Sequence, residues 1–261
     1  MPENFELPNS KSAESSIELS SLSFNFDFRN EIQNEVKSKI DDIKMAIAKK
    51  LGEFLPNWVS PKITINLTAS KNGNWHVNKD NIINGDLGIL TLEDYFDGII
   101  KGTVHEIFHI WMEEKQNQDW RNDDLSNLSE HELRNMMIFR TIDEGLATLI
   151  SGGPNFKEYH EEQGKNYDEY IQDCFIAFNS FLKAKTREEL VFFFETSFQN
   201  SQFSIVGNEI AKIILEKNGI DNFKKIINEA RKNPETMFKE YREICEKDNY
   251  LPKINPTEID Q

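Results

Sequence analysis

The segment TLEDYFDGIIKGTVHEIFHIWMEEK, beginning at Thr91, is apolar on nearly every helical face and yet holds His105, Glu106 and His109 at its centre. Ile99, Ile100, Val104, Ile107, Phe108, Ile110, Trp111 and Met112 surround the two imidazoles, and a helix that is apolar all round is a core helix. Thr91 and Asp94 are spaced as a capping pair ahead of the run. Polar groups on such a helix need partners, because burying one without a partner costs roughly 2–7 kcal/mol. His105 and His109 are four positions apart and share one face, so both rings can hold a single metal ion. Glu106 falls beside that face, within reach of a water molecule at the metal. The H-E-x-x-H pattern is the one that zinc-dependent hydrolysis uses. A surface helix with two unliganded histidines is the plain alternative, and the apolar surroundings argue against it.

One helix cannot close a tetrahedron, so a third ligand is expected on a different element. The best candidate is Glu144 in the run RTIDEGLA, inside a second helical stretch from about Glu130 to Ile150. Gly145 and Ala147 flank the carboxylate with almost no side chain, which would let this helix approach the histidine helix closely. Glu144 has an alternative as the (i, i+4) partner of Arg140, worth only a few tenths of a kcal/mol. Glu130, Glu132, Asp123 and Asp124 are weaker rivals, in stretches that read as exposed loop or helix start.

HEIFH followed by IDEGLA resembles the gluzincin metallopeptidases, the clan of thermolysin and aminopeptidase N. The resemblance implies that His105, His109 and Glu144 bind one zinc ion per chain and that Glu106 is the catalytic carboxylate. It also implies a peptide or protein substrate, and hydrolysis by a zinc-activated water with Glu106 as general base. The implied fold is α+β and zincin-like, with a small mixed or antiparallel sheet and the H-E-x-x-H helix in an upper lobe above an all-helical lower lobe. In such enzymes a strand at the sheet edge borders the cleft and pairs with extended substrate.

The chain departs from the clan's patterns in several places. The spacing from His109 to Glu144 is longer than the thermolysin-like and aminopeptidase families use, and Asp143 stands where the aminopeptidases have Asn. There is no G-A-M-E-N segment, and no Gly-x-x-His follows HEIFH, so the three-histidine metzincin pattern is absent. Tyr159, His160, Tyr167 and Tyr170 are candidates for the second donor that usually faces the oxyanion, and Asp143 and Thr148 for groups that orient ligands. His76 and His131 read as surface histidines. A rival reading is a zincin-fold binding or regulatory module with a non-catalytic metal site, against which Glu106 argues, since a structural site has no need of a base. A hydrolase of non-peptide amides or esters would use the same ligands.

Along the chain, residues 1–21 are rich in Ser and Glu and read as a flexible segment. Residues 22–117 are expected to form the upper lobe and 118–261 the helical lobe that carries Glu144, both within one catalytic domain. Alternation predicts a strand at Phe24–Phe28. Ile32, Val36, Ile40, Ile43, Ile47 and Leu51 then form one amphipathic stripe. Further strands are expected over Lys62–Ala69, Asn74–Val77 after an Asn72-Gly73 turn, and Gly88–Leu92 after a turn at Asn84-Gly85. Helical patterns cover roughly 168–184, 187–196, 204–217, 222–231 and 235–247. Thr186 and Glu189 are placed as a capping box, and Gly219 as a stop. The run from Ser204 to Gly207 is reminiscent of a Tyr-x-x-Gly helix start in gluzincin-like families, with Ser in place of Tyr.

Composition bounds the remaining classes. A formal charge of −15 disfavours nucleic acid and anionic membranes as partners, since both attract basic patches. Cys174 and Cys245 lie on helical segments and are expected to be free core thiols. The N-terminus lacks a basic start and an apolar stretch, and no run approaches the 18 or so apolar residues that span a bilayer. A cytoplasmic location is therefore expected.

Overall fold

The computed structural model describes residues 22–27, 30–55, 58–69, 74–78, 80–88, 92–115, 125–153, 157, 161, 164, 166–198, 200–248, 251 and 254. The segment 1–21, the Asn72-Gly73 pair and Thr91 lie outside them.

Strand β1 (Leu22–Asp27) is followed by α1 (Asn30–Ser38) and α2 (Ile40–Phe54). The amphipathic stripe is buried at Val36, Ile43, Ile47 and Leu51, and the expected single helix is interrupted at Lys39 (φ −110°, ψ 12°). Strands β2 (Ile63–Thr68), β3 (Trp75–Val77) and β4 (Ile82–Asp86) complete a sheet of order β1-β2-β4-β3. β1, β2 and β4 run parallel, and β3 pairs antiparallel with β4 at one edge. In β2 the side chains of Ile63, Ile65 and Leu67 are buried while Thr64, Asn66 and Thr68 face outwards, the alternation of a sheet with one covered face.

The chain reversal between β3 and β4 differs from expectation. Asn84 and Gly85 are not a turn but the middle of β4. Asn78 and Asn81 make the reversal instead. Asn78 Oδ1 accepts from the backbone N–H groups of Asp80 and Ile82, both at 3.0 Å, and Asn81 adopts a φ of 57°. Gly85 has a packing reason to be a glycine. A Cβ there would lie 2.6 Å from the indole of Trp75, and one at Gly102 would lie 2.5 Å from the same ring. Trp75 thus lies flat between β4 and helix α3 (Leu92–Glu113) and holds the edge strand against that helix. The expected strand at Gly88–Leu92 is not formed at its described ends, since Gly88 sits at φ 62° and Leu92 opens α3.

The rest of the described chain is helical. Helix α4 (Glu130–Ser151) starts with a capping box between Ser129 and Glu132 and stops at Gly152, which is left-handed at φ 66°. Next come α5 (Tyr167–Lys183) and α6 (Arg187–Phe193), the latter opened by the expected Thr186–Glu189 box and continued by a π-turn over Phe194–Phe198. Helix α7 (Gln202–Ala230) is broken at Gly219, and α8 (Glu235–Lys247) ends the fold. Phe178 stacks on Phe238 at 5.4 Å and meets Phe203 edge-on at 5.2 Å. One apolar core joins these rings to Ile63, Ile65 and Ile83 of the sheet. Cys174 and Cys245 are buried free thiols within it, and burial pushes the Cys174 thiol up to about 12.

Gly145 does not serve the approach to the histidine helix expected of it. Its position is where α4 crosses α7: a Cβ there would lie 2.1 Å from the Gly207 carbonyl carbon.

Arg231 locks α7 to the end of α3. Its Nη2 donates to the Trp111 carbonyl oxygen and, at 3.1 Å, to Glu114 Oε2, while the guanidinium lies 3.9 Å from the Trp111 ring centre. Trp58 Nε1 donates to the same carboxylate at 3.0 Å. A carbonyl in the last turn of a helix lacks an intrahelical partner, and a cation there also complements the helix dipole. Arg231→Ala is expected to lower stability by about 2–3 kcal/mol, read as a fall in the urea midpoint. An unchanged midpoint would show that the clasp carries no net weight.

Candidate metal centre

His105, Glu106 and His109 sit in the middle of α3, and Asp143 and Glu144 in the second half of α4, which packs against it. One helical turn separates the two imidazoles, whose rings meet edge-on at 4.7 Å. His105 Nε2 lies 3.4 Å from Glu144 Oε2, and His109 Nε2 lies 3.7 Å from Glu144 Oε1. One ligand atom from each of the three residues falls within 4.8 Å of the other two, and among the described residues no other group of three or more His, Cys, Asp or Glu converges in this way. Tetrahedral zinc with bonds of about 2.0–2.1 Å places its donors about 3.3 Å apart, so the His–Glu separations fit one ion with shifts of a few tenths of an ångström.

His109 is held from behind. Its Nδ1 donates to Asp143 Oδ2 at 2.8 Å in a buried bond, which leaves Nε2 as the atom that faces Glu144. Such a carboxylate partner fixes the tautomer and the ring plane of a ligating histidine. Replacing Asp143 by Ala is expected to weaken zinc binding about 10–100-fold. Titration against a zinc chelator measures this, and an unchanged affinity would mean that the bond only fills the core.

The electrostatics favour a cation between these groups. Burial alone would push His109 towards the neutral form, but Asp143, Glu144 and Glu106 outweigh it and hold the imidazolium up to about 10. Burial raises the Glu144 carboxyl, and the facing His109 and His105 overcome this and hold it down to about 2. Glu106 is only 4% exposed. Burial pushes its carboxyl above the usual range, against the pull of His109 and His105, and a carboxylate raised in this way is a better base near neutral pH. The side chains of His105 and Glu144 stay 24% and 34% exposed, whereas that of His109 is 10% exposed. The cluster is therefore open on the His105–Glu144 side, as a centre that admits a reactant must be.

Other candidates fall elsewhere. Glu132 is the capping residue of α4, and Glu130 takes no part in the cluster. Asp123, Asp124, Tyr159 and His160 lie outside the described residues. Tyr167 is buried and donates its hydroxyl to Glu209 at 3.2 Å, and Tyr170 is half-buried on α5. The charge of Arg140 adds to the pull that holds the Glu144 carboxyl down, and its guanidinium lies over the Phe194 ring. His131 is exposed and bonds to Asn135. His76 is exposed too, and its Nε2 lies 3.2 Å from Asn84 Nδ2.

A mixed α+β fold that converges two histidines and a glutamate on one point beside a buried carboxylate has the donor set of a zinc hydrolase. The chain belongs to the family described as "Putative zinc dependent peptidase (DUF5700)", whose profile matches residues 3–250. No curated protein and no solved structure shows a significant match. Among the described residues no helix is long and apolar enough to cross a membrane.

Proposed function

We propose that this chain is a zinc metallopeptidase of gluzincin type, with His105, His109 and Glu144 as the zinc ligands and Glu106 as the catalytic base. The observation that carries the reading is the convergence of the three donors within 4.8 Å of one another, with Glu106 buried beside them. Zinc bound there supplies Lewis-acid polarisation of a carbonyl and lowers the pKa of water. Glu106 takes a proton from water as its oxygen attacks the peptide carbonyl carbon, and then passes that proton to the departing amine nitrogen. His109, fixed through Nδ1 by Asp143, keeps Nε2 aimed at the centre. In this reading residues 22–117 form the lobe above the cleft and 118–261 the helical lobe below it.

The substrate lies along β3. The Asn78 N–H bonds to the Ile82 carbonyl and the Asp86 N–H to the Asn74 carbonyl, so residues 74, 76 and 78 turn their backbone groups towards β4. Alternation in an antiparallel ladder then turns those of Trp75 and Val77 to the outer edge, which no strand covers among the described residues and where an extended peptide can pair with them. Trp75, seated on Gly102, sets the height of that edge above α3.

The zinc-loaded protein is expected to cleave a mixed peptide library, to stop on chelation and to recover when zinc is returned. Stoichiometric zinc with no cleavage of any peptide would instead favour a non-catalytic metal module.

A further inference from the structure

A polar row crosses the outer face of the sheet, and the proposed chemistry makes no use of it. Asn25, Asn66, Asn84 and His76 stand side by side on the four strands, each in register with the next. Asn25 Nδ2 donates to Asn66 Oδ1 at 2.9 Å, Asn66 Nδ2 to Asn84 Oδ1 at 3.0 Å, and Asn84 Nδ2 to His76 Nε2 at 3.2 Å. Asparagine is a poor strand residue, so three of them aligned in one row oppose local preference. The hydrogen-bonded row accounts for their placement.

Every amide in the row donates in the same direction, towards β3. His76 Nε2 is the final acceptor, which leaves the ring proton on Nδ1 as a donor at the outer edge of the sheet. The backbone of His76 is bonded to β4, so an antiparallel strand added outside β3 meets His76 in a non-hydrogen-bonded pair. Side chains approach most closely in such pairs, with Cα atoms about 4.5 Å apart. Trp75, the neighbour of His76 on β3, packs on Gly102, three residues before His105, so this strand lies against the helix that carries the reaction centre.

We propose that His76 determines specificity at one substrate subsite. The substrate residue that faces it extends the row by accepting from Nδ1–H, and is therefore Asn, Asp, Gln or Glu. This rests on the reading of β3 as the substrate edge.

The test profiles all cut sites in a library of synthetic peptides, using the zinc-loaded full chain, His76→Leu and His76→Asn. For wild type, one position at a fixed distance from the cut is expected to favour acceptor side chains over Leu about tenfold, the size of one good hydrogen bond. Peptide pairs that differ only there should show the preference in KM rather than kcat. In His76→Leu the ratio should fall towards one. In His76→Asn, which continues the row with another amide donor, it should be kept. Cleavage by wild type with no such preference, or with the same preference in His76→Leu, would overturn the subsite assignment alone. Absence of cleavage by wild type would overturn the peptidase reading and the subsite together.

Discussion

Glu106→Gln is expected to lower kcat for peptide hydrolysis by roughly 10²–10⁴-fold, the usual weight of a positioned general base. The substitution keeps the size of the side chain and removes only its ability to take a proton. Glu106 is not one of the three converging donors, so zinc content should match that of wild type. The side chain is 4% exposed, with the charges of His109 and His105 acting on it. Its replacement by a neutral amide removes a buried charge and should not cost stability. The informative result is therefore a folded, zinc-loaded and inactive protein. Activity within tenfold of wild type would remove Glu106 from the proton path.

The second large effect is on stability. Gly207→Ala would place a methyl group 1.8 Å from the Thr141 carbonyl oxygen and 2.9 Å from its carbon. These are backbone atoms in the interior of α4, so no side chain can swing aside and the two helices must part. Overpacking of an ordinary core position costs about 1–3 kcal/mol, occasionally more. A clash with a rigid helix backbone should fall at or above the top of that range, read as a drop in the urea midpoint. Because Gly145 faces Gly207 and directly follows Glu144, any folded fraction should also bind zinc more weakly. Gly164→Ala is the control. Its backbone is left-handed, at φ 71°, unlike that of Gly207, but nothing lies within 4 Å of the added Cβ, so only a backbone cost of about 1 kcal/mol is expected. Equal losses at the two positions would contradict the helix-crossing explanation.

The parts of the molecule legible in the sequence are those written in local patterns. The apolar surroundings of His105 and His109, the capping box before α6, the stop at Gly219 and the placement of Glu144 on its own helix could all be read from neighbours along the chain. Contacts between distant segments were not legible. Gly145 flanks Glu144 with no side chain and so suggests a close approach of the histidine helix, yet its partner is Gly207 on α7. Asn84-Gly85 has the residues of a turn. Only the indole of Trp75, arriving from the neighbouring strand, explains a glycine in the middle of β4. The row from Asn25 to His76 was hidden for the same reason, since strand register is not encoded locally. Asp143 was a candidate orienting group, and its bond to His109 Nδ1 is visible only in three dimensions.

Zinc affinity of Glu144→Ala beside wild type tests the centre most directly. Wild type should bind one zinc per chain, and loss of the carboxylate that faces both imidazoles should weaken binding by more than about a hundredfold. Full affinity in Glu144→Ala would contradict the assignment of the third ligand, and with it the two-histidine, one-glutamate centre.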